Sequence, residues 1–243
     1  MRLPCLLAAL LACPAVAVAD DDLPVLSVAF GLAVPPYVIK EKKAGMEYEV
    51  LDKAFLTMGY HMRPVYLPQS QLPEALANGQ VDAVTLVNEH AGVRGHYSAP
   101  YIRYHDFAIT LSSRKLVINR IEDLSRYSIA AFAKAPLYLG DTFRQVASTN
   151  PRYAEYDQQL KQNWLLYHGK VDVVVADVNI FRYYNQHTPL QFDSRQPVTY
   201  HQLFDPVDYK VAFRDVAHRD QFNTALAQLK SSGEYARILS NYQ

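Results

Sequence analysis

Hydrophobic positions recur along this chain with two different periods. Residues 25–32 form a β-rich apolar run that Pro35-Pro36 brings to an end, because proline cannot continue a strand ladder. From Glu47 the apolar positions Val50, Leu51, Ala54, Phe55 and Met58 follow helical spacing, and Gly59 supplies a left-handed stop. An extended piece over 63–67 follows, then a helix through Leu72, Ala75 and Leu76 that stops at Asn78-Gly79, then an apolar strand over 81–87. Strand, helix, strand, helix, strand predicts a parallel α/β sheet.

The second half reads the same way. Strands are expected over 107–111 and 129–132, a helical turn over 121–124, a helix from Leu137 and another over 180–184. An extended segment over 207–213 precedes a helix with Phe222, Ala225, Leu226 and Leu229 on one face, a stop near Gly233, and a last helix through Ile238-Leu239. One junction occurs twice. Leu76-Ala77-Asn78-Gly79-Gln80-Val81-Asp82-Ala83-Val84 returns 90 residues later as Leu166-Tyr167-His168-Gly169-Lys170-Val171-Asp172-Val173-Val174. Each copy reads as a helix end, a glycine cap, Val-Asp and a buried strand, which points to two similar lobes rather than one long sheet.

Composition narrows the class. The 243 residues carry 24 Lys+Arg against 24 Asp+Glu and are 50% hydrophobic, which excludes a disordered chain and gives no basic excess for nucleic acid. Met1-Arg2, the apolar run over 3–18 and small residues at Ala17 and Ala19 read as a secretory signal peptide cut after Ala19. Both cysteines, Cys5 and Cys13, would leave with it, so an exported, soluble chain without a disulfide is expected. A lipoprotein anchored at Cys13, with Leu10-Leu11-Ala12-Cys13 as its box, ranks second, since Leu is uncommon within that box at Leu11 and the Ala-Val-Ala-Asp boundary is clean. The 8 His are scattered, and Glu89-His90 with His96 lacks metal-ligand spacing, so neither metal nor cofactor is expected.

The order of Val34-Pro35-Pro36-Tyr37, Gly45-Met46-Glu47-Tyr48-Glu49, the Leu76 to Asp82 junction, Arg94, Tyr97-Ser98-Ala99-Pro100-Tyr101, Ile121-Glu122-Asp123-Leu124, Gly169 to Asp177 and the tail from Asn223 to Leu239 resembles the family-3 extracellular solute-binding proteins. These are the periplasmic amino-acid-binding components of ABC transporters. The resemblance implies two α/β lobes joined by two hinge strands, with a discontinuous lobe 1 (24–103 and 208–243), lobe 2 over 107–204, and hinges near 103–106 and 205–208. It implies a monomer that closes on a small polar ligand in the interlobe cleft and docks on an inner-membrane permease.

In family members that bind α-amino acids, an arginine of lobe 1 grips the carboxylate and an aspartate of lobe 2 grips the ammonium, a bidentate fork and an acceptor-only group respectively. Those intervals fall on Arg94, 12 residues after Asp82, and Asp177, 5 after Asp172. The plain alternatives are a solvated arginine and a strand-end acid capping the next helix. Other cage positions depart from the family. Its stacking aromatic falls on Val34, its small Gly and two Thr/Ser residues on Val87, Glu89 and Ala91, and its carboxylate-binding loop on Ala133-Lys134-Ala135-Pro136, where Pro136 has no N–H. The chain also reaches Tyr97-Ser98 three residues sooner after Arg94 than the family does.

Half a cage is thus present. Arg94, Asp177, Tyr37, Glu89 and Lys134 are the candidate ligand contacts, with Tyr37, Tyr101 and Tyr138 as candidate stacking partners. The family position of Tyr37 is as often packing as contact, and Glu89 and Lys134 taken singly read as solvated charge. Two acids against Arg94 and Lys134 would suit a cationic or zwitterionic solute. The sequence reads as a binding protein rather than an enzyme, with no Gly-x-Ser-x-Gly elbow, phosphate loop or dinucleotide fingerprint. The alternatives are a sensing or signalling module of the same fold and a cyclohexadienyl-dehydratase-like enzyme.

Overall fold

The structure, a computed structural model, describes residues 22–31, 33–88, 91–187 and 193–242. The expected signal peptide, both cysteines and Glu89 lie outside the described residues.

The apolar runs become the centres of two sheets. In the first, β1 (Val25–Phe30) lies between β2 (His61–Tyr66) and β3 (Ala83–Val87), parallel to both. Five consecutive residues of β1 and all of β3 are buried, as befits strands covered on both faces. The late strand β11 (Val207–Phe213) runs antiparallel beside β3, and the short β4 (His96–Tyr97) and β5 (Ile102–Tyr104) pair with it. Three helices cover one face: α1 (Met46–Thr57), α7 (Val216–Ser231) and α8 (Glu234–Ser240). Phe222, Ala225, Leu226 and Leu229 of α7 pack with Phe55 of α1 and Phe213 of β11 in one buried cluster. The helix α2 (Leu72–Ala77) closes the other face with Val84 and Val87.

The second sheet repeats the plan. Its β7 (Ile129–Phe132) lies between β8 (Tyr153–Tyr156) and β9 (Val173–Asp177), parallel to both. The antiparallel β6 (Asp106–Leu111) follows, with β10 (Val198–His201) at the edge. Around this sheet stand α3 (Ala135–Tyr138), α4 (Gly140–Thr149), α5 (Gln159–Tyr167) and α6 (Val178–His187). Chain order within the sheets makes lobe 1 discontinuous, since its β11, α7 and α8 arrive after all of lobe 2.

The duplicated Val-Asp junction has a physical role. Asp82 Oδ2 accepts from the Ser27 N–H and hydroxyl at 2.9 and 2.7 Å, and Asp82 Oδ1 accepts from Arg214 at 2.8 Å. In lobe 2, Asp172 Oδ2 accepts from the Ser128 N–H and hydroxyl at 3.0 and 2.7 Å, and Oδ1 from Arg114 at 3.1 Å. Burial pushes both carboxyls up, yet the serine hydrogen bonds and the arginine outweigh it and hold each below the usual range. The same aspartate thus ties the start of the third parallel strand to the first in both lobes.

The chain leaves the first sheet after β5, passes through His105, and enters the second at Asp106; it returns between β10 and β11. The two crossing segments lie together, because β5 and β11 pair antiparallel with Tyr104 opposite Val207 and Arg103 opposite Asp208.

Candidate functional site

A cavity of about 400 Å³ opens between the lobes, where the C-terminal ends of the parallel strands converge. Lobe 1 contributes Val34, Gln69 and Leu86; the crossing strands contribute Tyr104, Val207 and Tyr209; lobe 2 contributes Asp106, Phe132, Lys134, Tyr138, Gln159, Asp177 and Ile180 among others. Local backbone places several of them. Leu86 takes a left-handed φ of 54° where β3 and β11 shift register, and its N–H donates to the Tyr101 hydroxyl at 3.2 Å. Gln69 lies over Gly31, where a Cβ would stand 1.8 Å from Gln69 Oε1, so any side chain at 31 would displace that amide.

Asp177 ends β9 and is 2% exposed. Its Oδ1 accepts from the N–H groups of Asn179 and Ile180 at 2.9 and 3.1 Å, which caps α6. Its Oδ2 accepts from the His105 N–H at 2.8 Å and from the Tyr37 hydroxyl at 3.0 Å. Burial pushes this carboxyl above its usual range, although the four donors pull against it. The strand-end cap is therefore the geometry Asp177 adopts, and it borders the cavity with its acceptor positions already filled.

Tyr37 is completely buried, stacked on Tyr104 at 3.8 Å between ring centroids, and lies outside the cavity lining. Lys134 lines the cavity at its exposed rim, with a left-handed φ of 63°. Its N–H is taken by Glu155 Oε2 at 2.6 Å, so this loop presents neither that donor nor one from Pro136. Arg94 is exposed, sits in a segment without helix and is absent from the cavity lining. Of the stacking candidates, Tyr138 borders the cavity, whereas Tyr101 is buried in lobe 1 and donates to Glu47 Oε1 at 2.7 Å.

Sequence reasoning overlooked the residue that stands out here. Asp106 begins β6 directly opposite Asp177, and among the described residues its carboxylate has no hydrogen-bond partner or counter-ion. Burial, and then the Asp177 charge, raise it to about 8. Gln69 and Gln159 also went unnoticed; the Oε1 of each is buried without a hydrogen-bond partner among the described residues. A second perturbed acid, Glu47 on α1, is 1% exposed, and burial raises it to about 7 against the pull of the Tyr101 hydroxyl.

Two α/β lobes of matching plan, connected by two crossing strands, with the late helices returning to lobe 1, agree with a family-model match to the bacterial extracellular solute-binding proteins, family 3, over residues 26–243. The chain belongs to that family. No curated protein sequence matches it. Solved structures share the fold at low identity. An ancestral arginine-binding protein bound to arginine is 19% identical with a TM-score of 0.66, covering 90% of this chain and 97% of its own. The GluR0 ligand-binding core in complex with L-glutamate is 15% identical with a TM-score of 0.71, covering 91% and 99%. A histidine kinase sensor domain with similarity to periplasmic binding proteins is 18% identical with a TM-score of 0.68, covering 91% and 97%. Among the described residues no helix of this family-3 chain is long and apolar enough to cross a membrane, and no group of three or more His, Cys, Asp or Glu is placed to hold a metal ion.

Proposed function

We propose that this family-3 protein is a periplasmic receptor that captures a small polar solute between its lobes and presents the closed form to the permease of an ABC importer. The observation that carries this reading is the interlobe cavity, walled by both lobes and floored by the crossing strands Tyr104 and Val207–Tyr209. A solute touching both walls makes contacts available only when the lobes are together, so its binding energy favours closure. Of the family positions, Asp177 and Lys134 border the cavity, Lys134 as the candidate contact and Asp177 as a wall whose acceptors are filled; Tyr37 acts from behind it, through Asp177. A second reading, solute sensing without transport, draws on the likeness to a histidine kinase sensor domain.

Thermal unfolding in the presence of amino acids, polyamines, opines and small carboxylates tests capture. A solute at about 100 times its Kd adds roughly 2.7 kcal/mol, a rise on the order of 5–10 °C in Tm for a chain of this size. A cooperatively folded protein that responds to none of them would refute capture. Uptake lost on deletion of the protein would favour transport, and signalling lost without an uptake defect would favour sensing.

A further inference from the structure

We infer that the solute is an organic cation without a carboxylate, a protonated amine or guanidinium on an apolar body, seated with its charge on Asp106. The inference rests on the capture reading and adds the chemical class.

Three observations converge. The first is charge: the described lining carries the carboxyls of Asp106, Asp157 and Asp177 against the single ammonium of Lys134. Asp177 is saturated by the N–H groups of His105, Asn179 and Ile180 and by the Tyr37 hydroxyl, whereas Asp106 beside it has no partner among the described residues. A half-buried carboxyl that lines the cavity beside a second one, and that an arriving cation would hold ionised, is a seat for N–H donors. The second is a pair of lining amides, Gln69 from lobe 1 and Gln159 from lobe 2, whose Oε1 atoms have no hydrogen-bond partner among the described residues and, on turning toward the cavity, would accept N–H groups from both sides of the cleft.

The third is the wall. Tyr104 and Tyr209 meet edge to face at 5.4 Å on the crossing strands, and Phe132 and Tyr138 stand 6.4 Å apart on lobe 2. Aromatic faces around a carboxylate hold an ammonium or guanidinium by cation–π attraction while packing its carbon skeleton. A carboxylate on the solute would meet Asp106 and Asp177, and the one cation among the described lining residues, Lys134, is at the exposed rim.

Calorimetric titration of the purified protein with matched probes tests this: phenethylamine, agmatine and putrescine against L-phenylalanine, L-arginine and L-ornithine, which carry the same skeletons plus an α-carboxylate, and against phenylacetate. At least one amine is expected to bind at least tenfold more tightly than its carboxylated counterpart. Asp106→Asn, which keeps shape and removes the carboxyl that a bound cation would hold ionised, should weaken that amine roughly tenfold to hundredfold. Phe132→Ala, a substitution outside the acid pair, should weaken it roughly threefold to thirtyfold and covers the case in which Asp106→Asn fails to fold. Amine binding that is equal in wild type and Asp106→Asn overturns the anchor. Binding of the α-amino acids or phenylacetate in preference to the amines overturns the cation class and leaves solute capture standing. Silence from every probe here also overturns the class, and the wider solute screen then decides capture on its own.

Discussion

The Tyr37 hydroxyl of lobe 1 donates to Asp177 Oδ2 of lobe 2 at 3.0 Å, and both side chains are buried. The hydroxyl in turn accepts from Asn179 Nδ2 at 3.1 Å, while the ring stacks on Tyr104 of the first crossing strand. One phenol thereby ties the end of β9, the start of α6 and the crossing strand to the loop after β1. Tyr37→Phe keeps the stack and removes the tie. We expect a loss of about 1–2 kcal/mol, read by chemical denaturation, with solute affinity changed less than by any substitution of a cavity-lining acid.

Asp177→Ala should be far more costly. It removes the cap of α6 and leaves the His105 N–H and the Tyr37 hydroxyl without their acceptor in a buried site. A destabilisation of about 3–5 kcal/mol is expected, or a fall on the order of 6–20 °C in Tm.

The two acids with raised values set a pH dependence of defined sign. Asp106 faces Asp177 on β9, Tyr209 on β11 and Tyr37 on the loop after β1, with Lys134 at the rim; Glu47 faces Tyr101, Tyr104 and Tyr66. Asp106 is raised to about 8 and Glu47 to about 7, so the folded protein holds protons that the unfolded chain releases near pH 4. Their contribution is complete below that pH and is lost as the pH climbs through 7 and 8, with a slope of up to about 1.4 kcal/mol per pH unit for each carboxyl. Solute-free Tm measured from pH 5 to 9 should fall, and Asp106→Asn should flatten the upper part of the curve.

Arg94 is exposed and outside the cavity lining, in a segment that reaches β4 without forming a helix. Arg94→Ala is expected to leave solute affinity unchanged and stability within about 0.5 kcal/mol. A tenfold loss of affinity would place the site differently.

Asp82 and Asp172 make the same junction in the two lobes, so their removal should cost alike. Asp82→Ala and Asp172→Ala each strip the acceptor from a serine N–H, a serine hydroxyl and an arginine. About 2–4 kcal/mol is expected for each, measured by denaturant unfolding.

That junction shows what the sequence made legible. The apolar runs at β1, β3, β7 and β9, the glycine stops at Gly79 and Gly169 and the repeated Val-Asp are local patterns, and each maps onto an observed element. Tyr153–Tyr156 and Val198–His201 were not recognised as strands because both are edge strands without a buried residue, so no alternation marks them. Asp106 escaped for another reason. It stands beside Asp177 only through the antiparallel register of β6 on β9, a pairing across 71 residues that no window along the chain contains. Gln69 and Gln159 are single polar residues at the openings of helical segments, and only the convergence of both lobes on one cavity gives them meaning.

The central claim is that the solute is held between the lobes, and Ala133 offers a direct test because it lines that cavity. Calorimetric titration of a solute found in the thermal screen should be run on wild type and on Ala133→Trp, whose side chain fills the cleft. One solute bound per wild-type chain and none by a folded Ala133→Trp is the predicted result. Equal affinity and stoichiometry in the two proteins would contradict the account.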